Sequence, residues 1–83
     1  MKEFKEKQEL ADALRAAICE EFEIEEEKIT PEASIKDTLD LDSLSLVDLI
    51  AIIESESGIK LKSTDVTHIQ TFEGLYDFIW NQL

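Results

Sequence analysis

The sequence predicts an all-α protein, a small four-helix bundle with three long helices, one short helix and a long loop between the first two helices. Apolar residues recur at helical spacing in separate stretches, capping residues precede the later ones, and no stretch alternates as a strand would. A length of 83 residues allows one small domain with a modest core, which is expected to cover residues 1–83.

The first helix is expected over residues 3–22, where apolar side chains recur every three or four positions. These side chains are Phe4, Leu10, Leu14, Ala17, Ile18 and Phe22. Six carboxylates crowd between Glu20 and Glu27 and oppose the macrodipole at the helix C-terminus. A loop is therefore expected to begin near Glu23 and to run to about Leu41.

This loop still carries apolar residues at intervals, and they are expected to hold it against the core. They are Ile24, Ile29, Ala33, Ile35 and Leu39. Thr30-Pro31 and the stretch from Ser34 to Asp37 are typical of short capped turns. The loop is therefore expected to be ordered by contacts with the bundle.

The second helix is expected over residues 43–57 and is the most apolar in the chain. Asp42 is a good N-cap because its carboxylate can accept hydrogen bonds from the first free amides of the helix. Leu41 can pack on Leu46 as a hydrophobic staple. Gly58 suits the left-handed conformation that ends many helices.

Two apolar stripes run along opposite faces of this helix. Leu46, Leu49, Ile50 and Ile53 form a stripe that is expected to face the core. Leu44, Val47 and Ala51 form the second stripe, with Asp48 and Glu54 on its edges. A chain of this size is not expected to cover both faces, so the second stripe is predicted to lie in water and to contact another molecule. The alternative is that other helices bury both stripes.

Two further helices follow. Leu61, Val66 and Ile69 are spaced for a short helix over residues 64–69. Thr71 is placed to cap the last helix, expected over residues 72–83. Its apolar face consists of Phe72, Leu75, Tyr76, Ile79 and Leu83.

The charge limits the partners that this protein can bind. Twenty acidic residues against eight basic ones give a net charge of -12, which argues against nucleic acid and anionic membranes and favours basic protein partners. The sequence contains neither a signal-peptide pattern nor an apolar run long enough to span a bilayer. The protein is therefore expected to be cytoplasmic, without membrane insertion.

Catalytic and metal-binding patterns are missing. His68 is the sole histidine and is expected to be a solvated loop residue, and Cys19 is interpreted as an ordinary thiol. Asp40 and Asp42 begin a calcium-loop pattern, but the positions that follow lack the required oxygen ligands and glycine. We therefore expect neither an enzyme nor a metal site.

Asp42-Ser43-Leu44, at the start of the apolar helix, resembles the attachment motif of the acyl carrier protein family. The resemblance extends from Ile18 through Ile29, Ala33, Ser34, Leu39, Val47-Asp48-Leu49, Gly58-Ile59 and Thr71 to Phe78-Ile79. It implies that Ser43 receives 4'-phosphopantetheine from coenzyme A, and that the thiol of this arm carries acyl groups as thioesters. The pathway implied is fatty acid biosynthesis or related acyl or polyketide biosynthesis. On physical grounds, the free amides and the dipole of a helix N-terminus are expected to favour the phosphodiester.

The resemblance also implies partners, namely a phosphopantetheinyl transferase and acyl-processing enzymes with basic docking patches. The residues expected to contact them are Asp42, Leu44, Val47, Asp48, Ala51 and Glu54. The tethered acyl chain is a further partner, expected to enter a core lined by Leu46, Ile50, Ile53 and Val66, and the protein is expected to be a monomer.

Several positions depart from the family pattern. Asp40 stands where the family has glycine, Ser45 and Ser55 where carboxylates are common, and Ser57 where a large apolar residue is common. These departures bear on which enzymes the carrier serves. Two alternatives remain: a helical protein-interaction module with an unmodified serine, and a peptidyl carrier, in which glycine usually precedes the modified serine instead of Asp42.

Overall fold

The computed structural model describes residues 4–83, which form five α-helices. These helices are α1 (Lys7–Phe22), α2 (Ile35–Leu39), α3 (Ser43–Ser57), α4 (Ser63–His68) and α5 (Phe72–Trp80). A 3₁₀ turn at Glu26–Lys28 lies between α1 and α2. Helix α1 packs against α3 and α5, and α4 contacts α3. The predicted all-α bundle is confirmed, and α2 is a short helix within the segment that was expected to be a loop.

The start of α1 differs from the prediction. Residue 3 lies outside the described residues, and residues 4–6 are not helical. Glu9 Oε1 accepts hydrogen bonds from the backbone amides of Lys5 and Glu6, at 3.0 and 3.1 Å. Because this carboxylate occupies amides that precede the helix, regular helix begins only at Lys7. The end at Phe22, within the acidic stretch from Glu20 to Glu27, agrees with the prediction.

Helix α2 is defined by its cap. Ser34 Oγ accepts a hydrogen bond from the Asp37 amide at 3.3 Å, as expected for a capped turn. The connection is tied to the start of α5, since Ile35 N donates to Gln70 O at 3.0 Å and Phe72 N donates to Ala33 O at 3.3 Å. These bonds hold α2 beside the last helix.

The boundaries of α3 match the prediction. Asp42 caps its first turn, and Gly58, with φ of 77°, ends it by donating its N–H to Glu54 O at 2.8 Å. The start of α5 also matches, because Thr71 Oγ1 accepts from the Gly74 amide at 3.1 Å. Helix α5 ends at Trp80 and not at residue 83, since the chain tightens into a final turn there.

The core lies between α1, α3 and α5. Its fully buried side chains include Leu10, Leu14 and Ile18 of α1, Leu49 and Ile53 of α3, and Phe72, Leu75 and Ile79 of α5. Leu46 and Ile50 are half-buried at its margin, so the core face of α3 is narrower than predicted. Leu83 is 51% exposed, which corrects its placement on the apolar face of the last helix.

Over residues 4–83, no helix combines the length and apolar character that crossing a membrane would require.

Candidate functional site

Ser43 is the first residue of α3 and is exposed. Asp42 precedes it as the N-cap, and its Oδ1 accepts hydrogen bonds from the amides of Leu44 and Ser45 at 3.0 and 2.8 Å. Hydrogen bonds from Ser45 hold the pKa of the Asp42 carboxyl below its usual value, and the bond from the Ser45 backbone amide contributes most. Asp42 therefore fixes the start of the helix. Within the described chain, the Ser43 hydroxyl forms no hydrogen bond and is free for modification.

The geometry corrects one part of the sequence interpretation. The free amides of the first turn were expected to favour an anion on Ser43. Two of these amides, on Leu44 and Ser45, already donate to Asp42, and the Leu46 amide donates to the Asp42 carbonyl at 2.9 Å. An anion on the Ser43 oxygen would therefore be stabilised by the dipole of the 15-residue helix, and not by a cluster of free backbone N–H groups.

The chain makes a sharp corner just before Ser43. Asp40, the residue after α2, has φ of 50° and ψ of 53°, in the left-handed region that glycine adopts most readily. Its amide donates to the Lys36 carbonyl, which closes α2. The departure from the family glycine therefore falls at a position where the backbone conformation favours glycine.

A cavity of about 490 Å³ opens beside Ser43. Its apolar lining comes from Ile35, Leu41, Leu46, Val66 and Ile69, and its polar lining includes Ser43, Ser34, Thr67 and Thr71. Leu41 and Leu46 thus share one wall, as expected for a staple. The predicted lining is correct for Leu46 and Val66 but wrong for Ile50 and Ile53, which lie deeper along α3 and away from this opening.

Sequence reasoning missed half of this cavity, namely the part formed by α2 and by the connection between α4 and α5. Three hydrogen bonds bring these segments together: Ile35 N to Gln70 O, Phe72 N to Ala33 O, and Glu73 N to Pro31 O. The sequence did mark each of the two segments by a capping residue, Ser34 in one and Thr71 in the other. In the structure these two residues form an isolated antiparallel bridge. Neither cap by itself reveals that the two segments meet.

The second stripe of α3 lies in water. Leu44 is 77% exposed and Val47 is 63% exposed, and they are among the large apolar side chains that remain in contact with solvent in the described chain. Ala51 is also exposed, as are Asp42, Asp48 and Glu54 around it. Between residues 37 and 56 the chain carries six carboxylates and neither lysine nor arginine. The expectation that this stripe would remain uncovered is confirmed.

The remaining chemically active side chains lie elsewhere. Cys19 is half-buried on α1, and burial raises the pKa of its thiol, with a further contribution from Glu26. His68 is exposed but is the last residue of α4, not a loop residue, and its Nδ1 lies 2.7 Å from Thr64 O. The described residues contain no group of three or more histidine, cysteine or acidic side chains that could hold a metal ion.

Comparison with known proteins gives consistent matches over most of the chain. Residues 12–79 match the family described as phosphopantetheine attachment site. The acyl carrier protein of Thermosynechococcus vestitus is 31% identical over 75 residues, which cover 90% of this chain and 93% of that protein. Acyl carrier proteins of Thermotoga maritima and Petrotoga mobilis are each 34% identical over 77 residues, or 93% of this chain and 95% and 91% of theirs.

Proposed function

Since this chain belongs to the phosphopantetheine attachment family and is an acyl carrier protein by that relationship, we propose that Ser43 bears its arm. The covalent cofactor is 4'-phosphopantetheine, whose thiol supplies the thioester linkage to an acyl group. The observation that carries the assignment to Ser43 is its exposed hydroxyl at the start of α3, directly on the rim of an apolar cavity. In the proposed modification, the Ser43 oxygen would form a phosphoester bond with the pantetheine-bearing phosphorus of coenzyme A as the pyrophosphate bond breaks. Adenosine 3',5'-bisphosphate would leave, and the hydroxyl proton would be released.

The residues around Ser43 suit an arm of this kind. Asp42 holds the first turn in place through two backbone amides, so the serine oxygen has a fixed position from which an arm can extend. Leu46 and Val66 offer an apolar wall a short distance away. A tethered apolar group therefore has a reason to leave water on this side of the molecule.

The exposed face of α3 is the proposed docking surface for partner enzymes. It consists of Leu44, Val47 and Ala51, bordered by Asp42, Asp48 and Glu54. Exposed apolar area with a charged rim is typical of contact surfaces, and the acidic rim favours partners with basic patches. These partners are a phosphopantetheinyl transferase and acyl-processing enzymes.

The protein is proposed to have no catalytic activity of its own and to act as a monomeric cytoplasmic carrier domain over residues 1–83. Fatty acid biosynthesis or a related acyl or polyketide pathway is the proposed setting. The carrier hypothesis accounts for both the exposed serine and the neighbouring cavity. An unmodified interaction module would need only the exposed apolar stripe of α3. Asp42 argues against a peptidyl carrier, which usually has glycine at that position.

Measurement of the intact protein mass tests whether Ser43 is the attachment site. After incubation with coenzyme A and a phosphopantetheinyl transferase, the wild-type protein should gain one phosphopantetheine increment, and Ser43→Ala should gain none. Helical content should change little, because a single substitution at an exposed helix start costs about 1 kcal/mol or less.

Ser63→Ala is the matched control. Ser63 is also an exposed serine at the first position of a helix, yet it does not line the cavity. This variant should take up the arm as the wild type does. Retention of the increment by Ser43→Ala would refute the assignment.

A further inference from the structure

A groove lies between α1 and α3, beside the exposed stripe of α3. Its volume is about 300 Å³, and its lining includes Ala17, Glu20 and Glu21 of α1 and Asp48, Ala51 and Ile52 of α3. On each helix these three positions have the spacing i, i+3 and i+4, so they fall on one face of that helix. The groove is therefore formed where one face of α1 meets one face of α3.

The apolar part of the groove consists of small or half-buried side chains. Ala17 and Ala51 each end at Cβ, which leaves space between the two helices, and the half-buried Ile52 adds aliphatic surface. Ala51 also belongs to the exposed stripe with Leu44 and Val47. The groove and the stripe are thus continuous, and a partner that covers the stripe also meets the groove.

The charged part of the groove has a single sign. Glu20, Glu21 and Asp48 are exposed, and within residues 4–83 no lysine or arginine lines the groove. By contrast, the cavity beside Ser43 and the depression between α1 and α5 both have basic side chains in their linings. A cation in the α1–α3 groove would be attracted by carboxylates from both helices.

We propose that the phosphopantetheinyl transferase that modifies Ser43 inserts a long basic side chain into the α1–α3 groove. The proposal rests on the carrier function and on attachment at Ser43. Lysine and arginine bury their aliphatic stems along apolar surface and keep their charged heads in water, so they match a groove in which alanine and isoleucine lie beside carboxylates. The docking surface on α3 therefore extends onto α1.

The transferase is the partner that the unmodified chain must bind first, and it has to hold Ser43. Asp48 and Ile52 lie about 8 and 14 Å from Ser43 along the axis of α3, at a rise of about 1.5 Å per residue. An interface of ordinary size, about 800 Å² on each partner, covers such a distance. One enzyme can therefore reach the serine and the groove together.

Paired charge substitutions test the contribution of α1. The groove variant is Glu20→Gln/Glu21→Gln, and the control variant is Glu25→Gln/Glu27→Gln, whose positions are exposed and do not line the groove. Both variants change the net charge equally, so they weaken long-range attraction alike. At fixed low salt, kcat/KM for modification by the transferase should be about fivefold lower in the groove variant than in the control variant. Glutamine forms helices about as well as glutamate, and circular dichroism verifies that the fold is retained.

A second pair of variants tests the space in the groove without a change in charge. Ala17→Met fills part of the groove, whereas Ala16→Met makes the same change at the neighbouring exposed position, outside the lining. Ala17→Met should lower kcat/KM about threefold, because the longer side chain occupies the place of the basic one, and Ala16→Met should have no such effect.

Equal kcat/KM values in the groove and control variants would overturn the proposal, because the two glutamates would then act through net charge alone. A loss in Ala17→Met without a difference between those variants would also overturn it, since the groove would then take an apolar group. A difference between them that a folded Ala17→Met does not share would place the contact outside the groove and reject insertion.

Failure of the carrier function would be visible separately in the same experiment. A wild-type protein that gains no phosphopantetheine mass refutes attachment and, with it, the role of the groove. A wild-type protein that is modified at Ser43, with variants that are modified as fast as their controls, refutes only the insertion of a basic side chain.

Discussion

Asp40 stores backbone strain close to Ser43, the proposed attachment site. Its φ of 50° places a side-chain-bearing residue in the left-handed region, although aspartate tolerates this better than most residues. Asp40→Gly should therefore raise the free energy of unfolding by about 0.5 to 1 kcal/mol, after the entropic cost of glycine is included. Urea unfolding followed by circular dichroism measures this change.

Asp37→Gly is the matched control, because it removes the same charge from a residue inside α2. Glycine in a helix costs about 1 kcal/mol relative to alanine, so this variant should be less stable than the wild type. Similar losses in both variants would show that the corner does not favour glycine.

Tyr76 is a second residue whose burial has a measurable consequence. It is 5% exposed, and its hydroxyl has no hydrogen-bond partner among the described residues. Burial raises the pKa of its phenol to about 12, with Arg15 acting in the opposite direction. It is the sole tyrosine in the chain, so its ionisation can be followed by ultraviolet absorbance.

The pH dependence follows from the direction of this shift. The folded-state pKa lies above the unfolded value of about 10, so stability is complete below pH 10 and falls as pH rises towards 12. This loss should reach about 2 kcal/mol near pH 12 and should be missing in Tyr76→Phe. Near pH 7 the variant should be as stable as the wild type, or up to about 1 kcal/mol more stable, because no paired hydroxyl is lost. A marked loss at pH 7 would reveal a hydrogen bond to this hydroxyl.

At the scale of the element, α3 has one buried face that supports the fold and one exposed face that is proposed to bind partners. Ile53→Ala should cost about 2 to 5 kcal/mol of unfolding free energy, because Ile53 is fully buried. Val47→Ala should change stability by less than about 0.5 kcal/mol, because Val47 is 63% exposed. Thermal and urea unfolding of the two variants test this difference.

In recognition, Val47→Ala should have the larger effect of the two variants. Modification by the transferase should slow in Val47→Ala, and the wild-type rate should fall as salt is added, because the acidic rim acts mainly on association. An equally large loss of stability in Val47→Ala and Ile53→Ala would contradict the assignment of two faces. A rate that does not respond to salt would count against an acidic docking surface.

The predictable elements were those with strong local signals. Helix α3 has a capping aspartate and a terminal glycine, and Thr71 marks the start of α5, so these boundaries could be predicted from sequence. Helix α2 has five residues, too few for helical periodicity to be recognised. The start of α1 depended on a carboxylate turning back to amides outside the helix, which periodicity does not reveal.

Ser43 could be proposed as the attachment serine from its motif, but the cavity beside it could not be predicted from the sequence. Its walls come from segments far apart in sequence, which backbone hydrogen bonds such as Ile35 N to Gln70 O bring together. Periodicity assigned Ile50 and Ile53 to the cavity because they share a face with Leu46. The observed opening lies at the first turn of α3, and of these three residues it is Leu46 that lines it.

For the whole molecule, the small size and the high net charge both lower stability. A domain of 83 residues buries a modest core, and a net charge of -12 adds repulsion across a molecule with a radius of gyration of 11.4 Å. An alkyl chain that enters the existing cavity adds buried apolar contact and leaves the net charge unchanged. The state of the cargo should therefore have a visible effect on the stability of the carrier.

The melting temperature should accordingly rise from the holo form through acyl forms of increasing length. Each methylene that leaves water contributes about 0.8 kcal/mol, and the gain should stop once the cavity of about 490 Å³ is filled. Because the cavity already exists, even short chains should stabilise the protein without first parting α3 from α4. Ile69→Phe, at a half-buried position of the lining, should move the plateau to shorter chains by occupying part of the space. Unchanged melting temperatures at every chain length would mean that the acyl chain lies outside the cavity, along Leu44 and Val47, and that the carrier does not sequester its cargo.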